Sequence, residues 1–200
     1  MGKISTYSFD NVVTVNDFLV GTDFEGSLRT KSYLIADIIS LVPNITAQYV
    51  FQIKGTSYDV QSPLTTDTAL QVEFGADNQS VNVEILSSGN ISFVTAGNYL
   101  VNTFISVSKE TNPGSISVFA FRALINGVQV GDPKVFKISE ENLLTPYELT
   151  VPVVAAQGDT LTYEIIRDSS GDNSGRLEGT NLLGWVGTTP SAQIEVWKNV

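Results

Sequence analysis

The side chains able to do chemistry are few in kind. The chain has no histidine and no cysteine. That excludes the usual near-neutral general base, a thiolate nucleophile, a disulfide, and any imidazole or thiolate metal site. Carboxylates remain, 21 acidic residues against 11 basic ones. Their most suggestive setting is the loop Asp168-Ser169-Ser170-Gly171-Asp172-Asn173-Ser174-Gly175. Calcium takes several oxygen ligands from loops of this kind. The EF-hand spacing is missing, and a Gly/Ser/Asp run reads first as a plain turn. No metal and no cofactor is expected. Asp17, Asp23 and Asp37 read as turn and cap residues. A glycosidase needs two carboxylates facing one bond, and no spacing here marks such a pair, so the chain is expected not to be an enzyme. Trp185, in the loop from Leu177 to Pro190, is a candidate ligand contact; packing in a core or interface is its other reading.

The formal charge is −10. Such a chain stays soluble and repels nucleic acid and anionic membranes on average. Its closest basic groupings, Arg29 with Lys31 and Lys134 with Lys137, make no stripe. No run approaches the roughly 18 apolar residues of a membrane span. Met1-Gly2-Lys3-Ile4-Ser5 lacks a secretion signal, so synthesis in a cytosol is expected. An apolar fraction of 42% is enough for a real core.

The elements that must position these residues fall into two parts. Residues 1–45 form a turn-rich arm. Asp17 to Asp23 is a short apolar strand closed by glycine. Tyr33 to Val42 then carries Leu34, Ile38 and Leu41 on one helical face, with Ile35 and Ile39 beside them. Ser32 is the expected N-cap, and Pro43-Asn44 the stop. So short a helix is not stable alone in water. Phe18, Leu19, Leu34, Ile35, Ile38 and Leu41 are therefore expected to be buried, either against the chain itself or as a docking surface on a partner. Residues 46–67 are a linker or a first strand, with Thr46 to Ile53 the strand candidate.

Residues 68–200 alternate with a period of two. Leu70, Val72 and Phe74 are followed by Val81, Val83 and Ile85. Tyr99, Val101, Thr103, Ile105 and Val107 share a face, with Leu100 and Phe104 on the other. Ser117 to Ile125 is also apolar on both faces, so both faces must be covered. One meets an opposing sheet; the other meets a sister subunit or the N-terminal piece. Arg122, among these residues, requires a carboxylate or a route to water. Asn126-Gly127 signals a hairpin. Val128–Val130, Lys134–Ile138, Leu149–Val154, Thr160–Arg167 and Ala192–Lys198 complete roughly eight to ten strands, with Pro152 placed at an edge or bulge. The fold class is mainly β: a small N-terminal arm with one short helix, then an antiparallel two-sheet sandwich of jelly-roll type.

Three pieces of residues 70–200 resemble the C1q/TNF-like jelly roll: Phe93-Val94-Thr95-Ala96-Gly97-Asn98-Tyr99-Leu100-Val101, the stretch Leu149 to Ile165 through Gly158-Asp159, and the closing Gln193 to Lys198. The resemblance implies a homotrimer, with Tyr99, Phe119, Phe121 and Tyr163 at its axis or in the core. Separately, Asp17 to Asp23 and Leu34 to Ile38 resemble the leading arm of structural proteins of tailed bacteriophages. That implies a virion protein assembled in the host cytoplasm: a trimeric capsid decoration or head-fibre protein whose arm docks on other virion proteins of capsid or tail and whose jelly roll is displayed. The alternative is a tail-associated or carbohydrate- or receptor-binding appendage that contacts a host-surface glycan. No coiled-coil or collagen-like shaft separates the two parts, so a compact knob is expected.

Overall fold

The computed structural model describes residues 18–22, 30–34, 48–110, 115–141, 143–181 and 188–199. The chain divides into two units, residues 1–47 and 48–200. In the first, β1 (Phe18–Thr22) pairs antiparallel with β2 (Thr30–Leu34), Phe18 opposite Leu34 and Thr22 opposite Thr30. This corrects the expected start of the helix. Ser32, Tyr33 and Leu34 are strand residues, so Ser32 is no N-cap and Leu34 does not lie on a helical face. Thr30 and Tyr33 favour the extended form, and pairing with β1 satisfies backbone groups that a short lone helix would leave open at its ends. Ile35, Ile38 and Leu41 lie outside the described residues.

The second unit is built from β3 (Tyr49–Ser57), β4 (Leu70–Gln71), β5 (Asn78–Gln79), β6 (Val83–Ile85), β7 (Ile91–Phe93), β8 (Gly97–Lys109), β9 (Ser117–Ile125), β10 (Val128–Ile138), β11 (Thr145–Ala155), β12 (Thr160–Arg167), β13 (Gly175–Leu177), β14 (Thr180–Asn181), β15 (Thr188–Thr189) and β16 (Ala192–Asn199). One sheet runs β10-β9-β12-β7-β6-β5, with β4 also on β12. The other runs β11-β8-β16-β3, with β13 also on β8. A short β14-β15 pair stands apart from both. All strand pairs are antiparallel. Neighbours in each sheet are distant in sequence, as in a jelly roll.

The inner faces of the two sheets make one core. Val101, Ile105 and Val107 of β8, Phe119 and Phe121 of β9, Leu161 and Ile165 of β12, and Ile194 and Val196 of β16 are all buried. Val72 and Phe74 are buried too, although only Leu70–Gln71 of that stretch is strand. Val81 departs from the expected alternation. It is exposed, because the Ser80 hydroxyl accepts from the Asn82 and Val83 amides and turns the chain there. Gly131-Asp132-Pro133 does not separate two strands. It is a register shift within β10, between Val130 and Lys134, and such a bulge leaves the ladder continuous. Pro152 sits on β11, an edge strand, together with Pro146.

Turn chemistry fixes the hairpins. Asn126 has φ +50° and Gly127 φ +78°, the left-handed pair that a two-residue turn matched to strand twist requires. Gly89 has φ +90°, and a Cβ there would stand 1.9 Å from the Val72 carbonyl oxygen. Only glycine lets that loop approach so closely.

Candidate assembly surface

Tyr99, Phe119, Phe121 and Tyr163 are no more than 1% exposed in the single chain. They form its core, so contact with a second chain falls to other side chains. Phe121 stacks on Tyr163, with centroids 5.3 Å apart and planes at 4°, and Phe74 meets Tyr163 edge-on. The Tyr163 hydroxyl and the facing Thr103 hydroxyl have no hydrogen bond of normal geometry between them. Burial is the main cause that raises the phenol well above its usual range.

The outward face of the five-stranded sheet is where apolar surface is left over. Register places Pro152 of β11 opposite Leu100 of β8, Leu100 opposite Trp197 of β16, and Trp197 opposite Phe51 of β3. These four residues make one row across all four strands. Trp197 and Phe51 meet edge to face at 5.1 Å. Leu100 and Trp197 are half-buried, whereas Phe51 is 46% and the neighbouring Val154 83% exposed. A strand-to-strand register shift produces this. Ile53 faces Val196, but Phe51, not Gln52, faces Trp197. The extra residue Gln52 turns Phe51 outward, and its side-chain amide donates to the Val50 carbonyl. Further along the face the chemistry changes. Glu148, Asn102, Gln193 and Glu195 surround Phe104, and Lys54 pairs with Glu195 at 3.4 Å.

A second leftover surface lies on the flank, between edge strands β10 and β11. A recess of about 310 Å³ there is lined by Val130, Lys134, Tyr147, Leu149 and Pro152, with the core ring of Phe121 at its wall. Phe136 meets Tyr147 edge-on at 5.5 Å, and the Lys134 ammonium stands 5.5 Å from the Tyr147 ring centre. Tyr147 and Leu149 are only partly buried, although they pack on the core. The outward face of β9 is less apolar in effect. Arg122 donates to one Glu164 oxygen from two nitrogens, at 2.9 and 2.6 Å, across the strand pair. That supplies the carboxylate the sequence requires for it.

The Asp168–Gly175 loop is internally bonded. Asp168 accepts from the Ser170 hydroxyl and amide, and these bonds hold its carboxyl below the usual range. Asp172 is bonded by Ser115 and Ser174 and lies 3.7 Å from the ammonium of Lys109, whose side chain is fully buried. Desolvation pushes the Asp172 carboxyl up, but Ser115, Ser174, Lys109 and Ser117 together outweigh it and hold the group low. Next to it Arg167, buried, donates to the carbonyls of Gly175 and Pro63 and to Glu110 and Asn173. These carboxylates therefore knit one end of the sandwich. Among the described residues no group of three or more carboxylates is gathered as a metal cluster would need. Trp185 lies outside the described residues, and among those described no helix is long and apolar enough to cross a membrane.

Sequence reasoning placed Trp197, Leu100 and Phe104 as surplus apolar residues but missed Phe51 and Tyr147. The Phe51 position depends on the Gln52 shift, which no local pattern announces. Tyr147 lies in a stretch read as connection, and its Pro146 was the one available sign of an edge strand.

No family model and no curated protein matches the chain. Among solved structures, the chain is similar to rabbit GITRL, at 11% identity and a TM-score of 0.34 over 60% of this chain and 79% of that one. The jelly-roll assignment rests on the strand order and pairings themselves.

Proposed function

We propose that this chain is a structural protein of a tailed-bacteriophage particle: a trimeric capsid decoration or head-fibre protein whose N-terminal arm docks on the particle and whose jelly roll is displayed. The observation that carries the reading is the row Pro152–Leu100–Trp197–Phe51, apolar and uncovered on the outward face of a sheet whose inner face already fills the core. Such surface marks an interaction site. The flank recess between β10 and β11 is a separate apolar surface on the same unit. Two different patches permit a head-to-side contact, and such contacts close into rings when the rotation allows. Flank on face also brings Lys134 and Lys137 toward Glu148 and Glu195. The resemblance of the arm to phage structural proteins supplies the particle; β1 and β2 make it a two-stranded ribbon, which is marginal until it packs on something. Three linked arms would turn weak contacts into firm retention.

Light scattering of the full chain tests the assembly. The expected mass is three times the 21.6 kDa chain, and a stable monomer at micromolar concentration would sink the trimer. Deleting residues 1–45 should leave the jelly roll folded but free of particles; a truncated chain still attached would refute the docking role.

A further inference from the structure

Asn126-Gly127 is the one Asn-Gly dipeptide in the sequence. It forms an exposed hairpin tip, and a Cβ at Gly127 would meet nothing within 4 Å. Asn-Gly is where a backbone amide most easily reaches the preceding carboxamide, because glycine puts no side chain in the way. Here, however, the Asn126 carboxamide is held at both ends by the neighbouring turn. Its oxygen accepts from the Thr160 amide at 2.9 Å, and its nitrogen donates to Asp159 Oδ1 at 2.9 Å. The Asn126 backbone amide also donates to the Thr160 carbonyl at 2.9 Å. Asp159 is itself fixed, since its other oxygen accepts from the Ala156 amide at 2.8 Å.

We infer that Asn126 is a guarded deamidation site, with Asp159 and Thr160 as the guard. While both bonds hold, the carboxamide faces the 156–160 turn and not the Gly127 nitrogen. When they open, the Gly127 nitrogen loses its proton and bonds to the Asn126 Cγ. The Cγ–Nδ2 bond breaks and ammonia leaves. Water then opens the resulting imide at either carbonyl, giving aspartate or isoaspartate. The step needs no oxidant, reductant or catalyst beyond water. Its product is self-propagating at this place. A new carboxylate replaces the amide that donated to Asp159, so a hydrogen bond becomes a repulsion between like charges. The two turns, which join β9 to β10 and β11 to β12, then separate. The modification would act as a one-way loosening of that end of the module.

The test is incubation of the full chain at mildly alkaline pH, well below its unfolding temperature, with peptide mapping of Asp and isoAsp at position 126. The folded wild type should convert far more slowly than the same chain unfolded in urea. Asp159→Ala, folded, should convert roughly fivefold faster than folded wild type, the factor set by opening one hydrogen bond. Equal rates for folded Asp159→Ala and wild type would overturn the guard. If that variant does not fold, the wild type decides alone: folded chain converting as fast as unfolded chain overturns it.

Discussion

Two buried polar groups make opposite demands. The Tyr163 hydroxyl lies in the core without a well-formed hydrogen bond, so removing it removes a desolvation cost and leaves the ring packing intact. Tyr163→Phe should change stability by less than about 1 kcal/mol, or raise it, in urea unfolding. Asp172 is the reverse case. Its carboxylate faces a lysine whose side chain is fully buried, and removing it strands charge in the interior. Asp172→Ala should cost on the order of 2–3 kcal/mol. The Asp172 carboxyl is held below its ordinary value in the folded chain. The stabilisation is therefore complete above the unfolded carboxylate value, about pH 3.9, and is lost as pH falls through the folded value below it. Wild type and Asp172→Ala should differ fully at neutral pH and converge in strong acid. A constant gap across that range would refute the pairing.

At the scale of elements, the strands were legible where one face is buried and the period of two is clean, as in β8, β9, β12 and β16. They were not legible where a side chain intervenes. Ser80 turns the chain before Val83, and the register shift in β10 keeps one strand where Gly131-Asp132-Pro133 suggests two. The helix expected from Tyr33 failed for a related reason. Leu34 and Ile38 fit a period of 3.6, but β1 offers backbone partners that the pattern cannot register. Loops are as specific as strands. Gly89 approaches the Val72 carbonyl with φ +90°, so a methyl group there clashes with backbone and strains the dihedral. Gly89→Ala should lower stability by about 2–3 kcal/mol, seen as a lower melting temperature. No change in melting would mean the 86–90 turn is adjustable.

On the scale of the whole molecule, the core uses the aromatics that the sequence made prominent, and the outward face uses others. Tyr99, Phe119, Phe121 and Tyr163 could not be divided between core and interface from sequence, because alternation gives a face but not what lies beyond it. The apolar row became visible only when strands distant in sequence were aligned. Trp197→Glu places a charge in the middle of that row. It should yield a folded monomer with an unchanged far-ultraviolet spectrum, read by scattering mass; a trimer of unchanged stability would move the contact elsewhere. The row also depends on a single extra residue in β3. Deleting Gln52 would let Phe51 take the place opposite Val196's side of the ladder and would carry Val50 out to meet Trp197. Amino-acid composition would barely change, yet the exterior would exchange an aromatic ring for a smaller aliphatic one. One codon lost or gained thus acts as a switch of stickiness, a route by which relatives of one fold drift between solitary and associating forms without redesign of the interior.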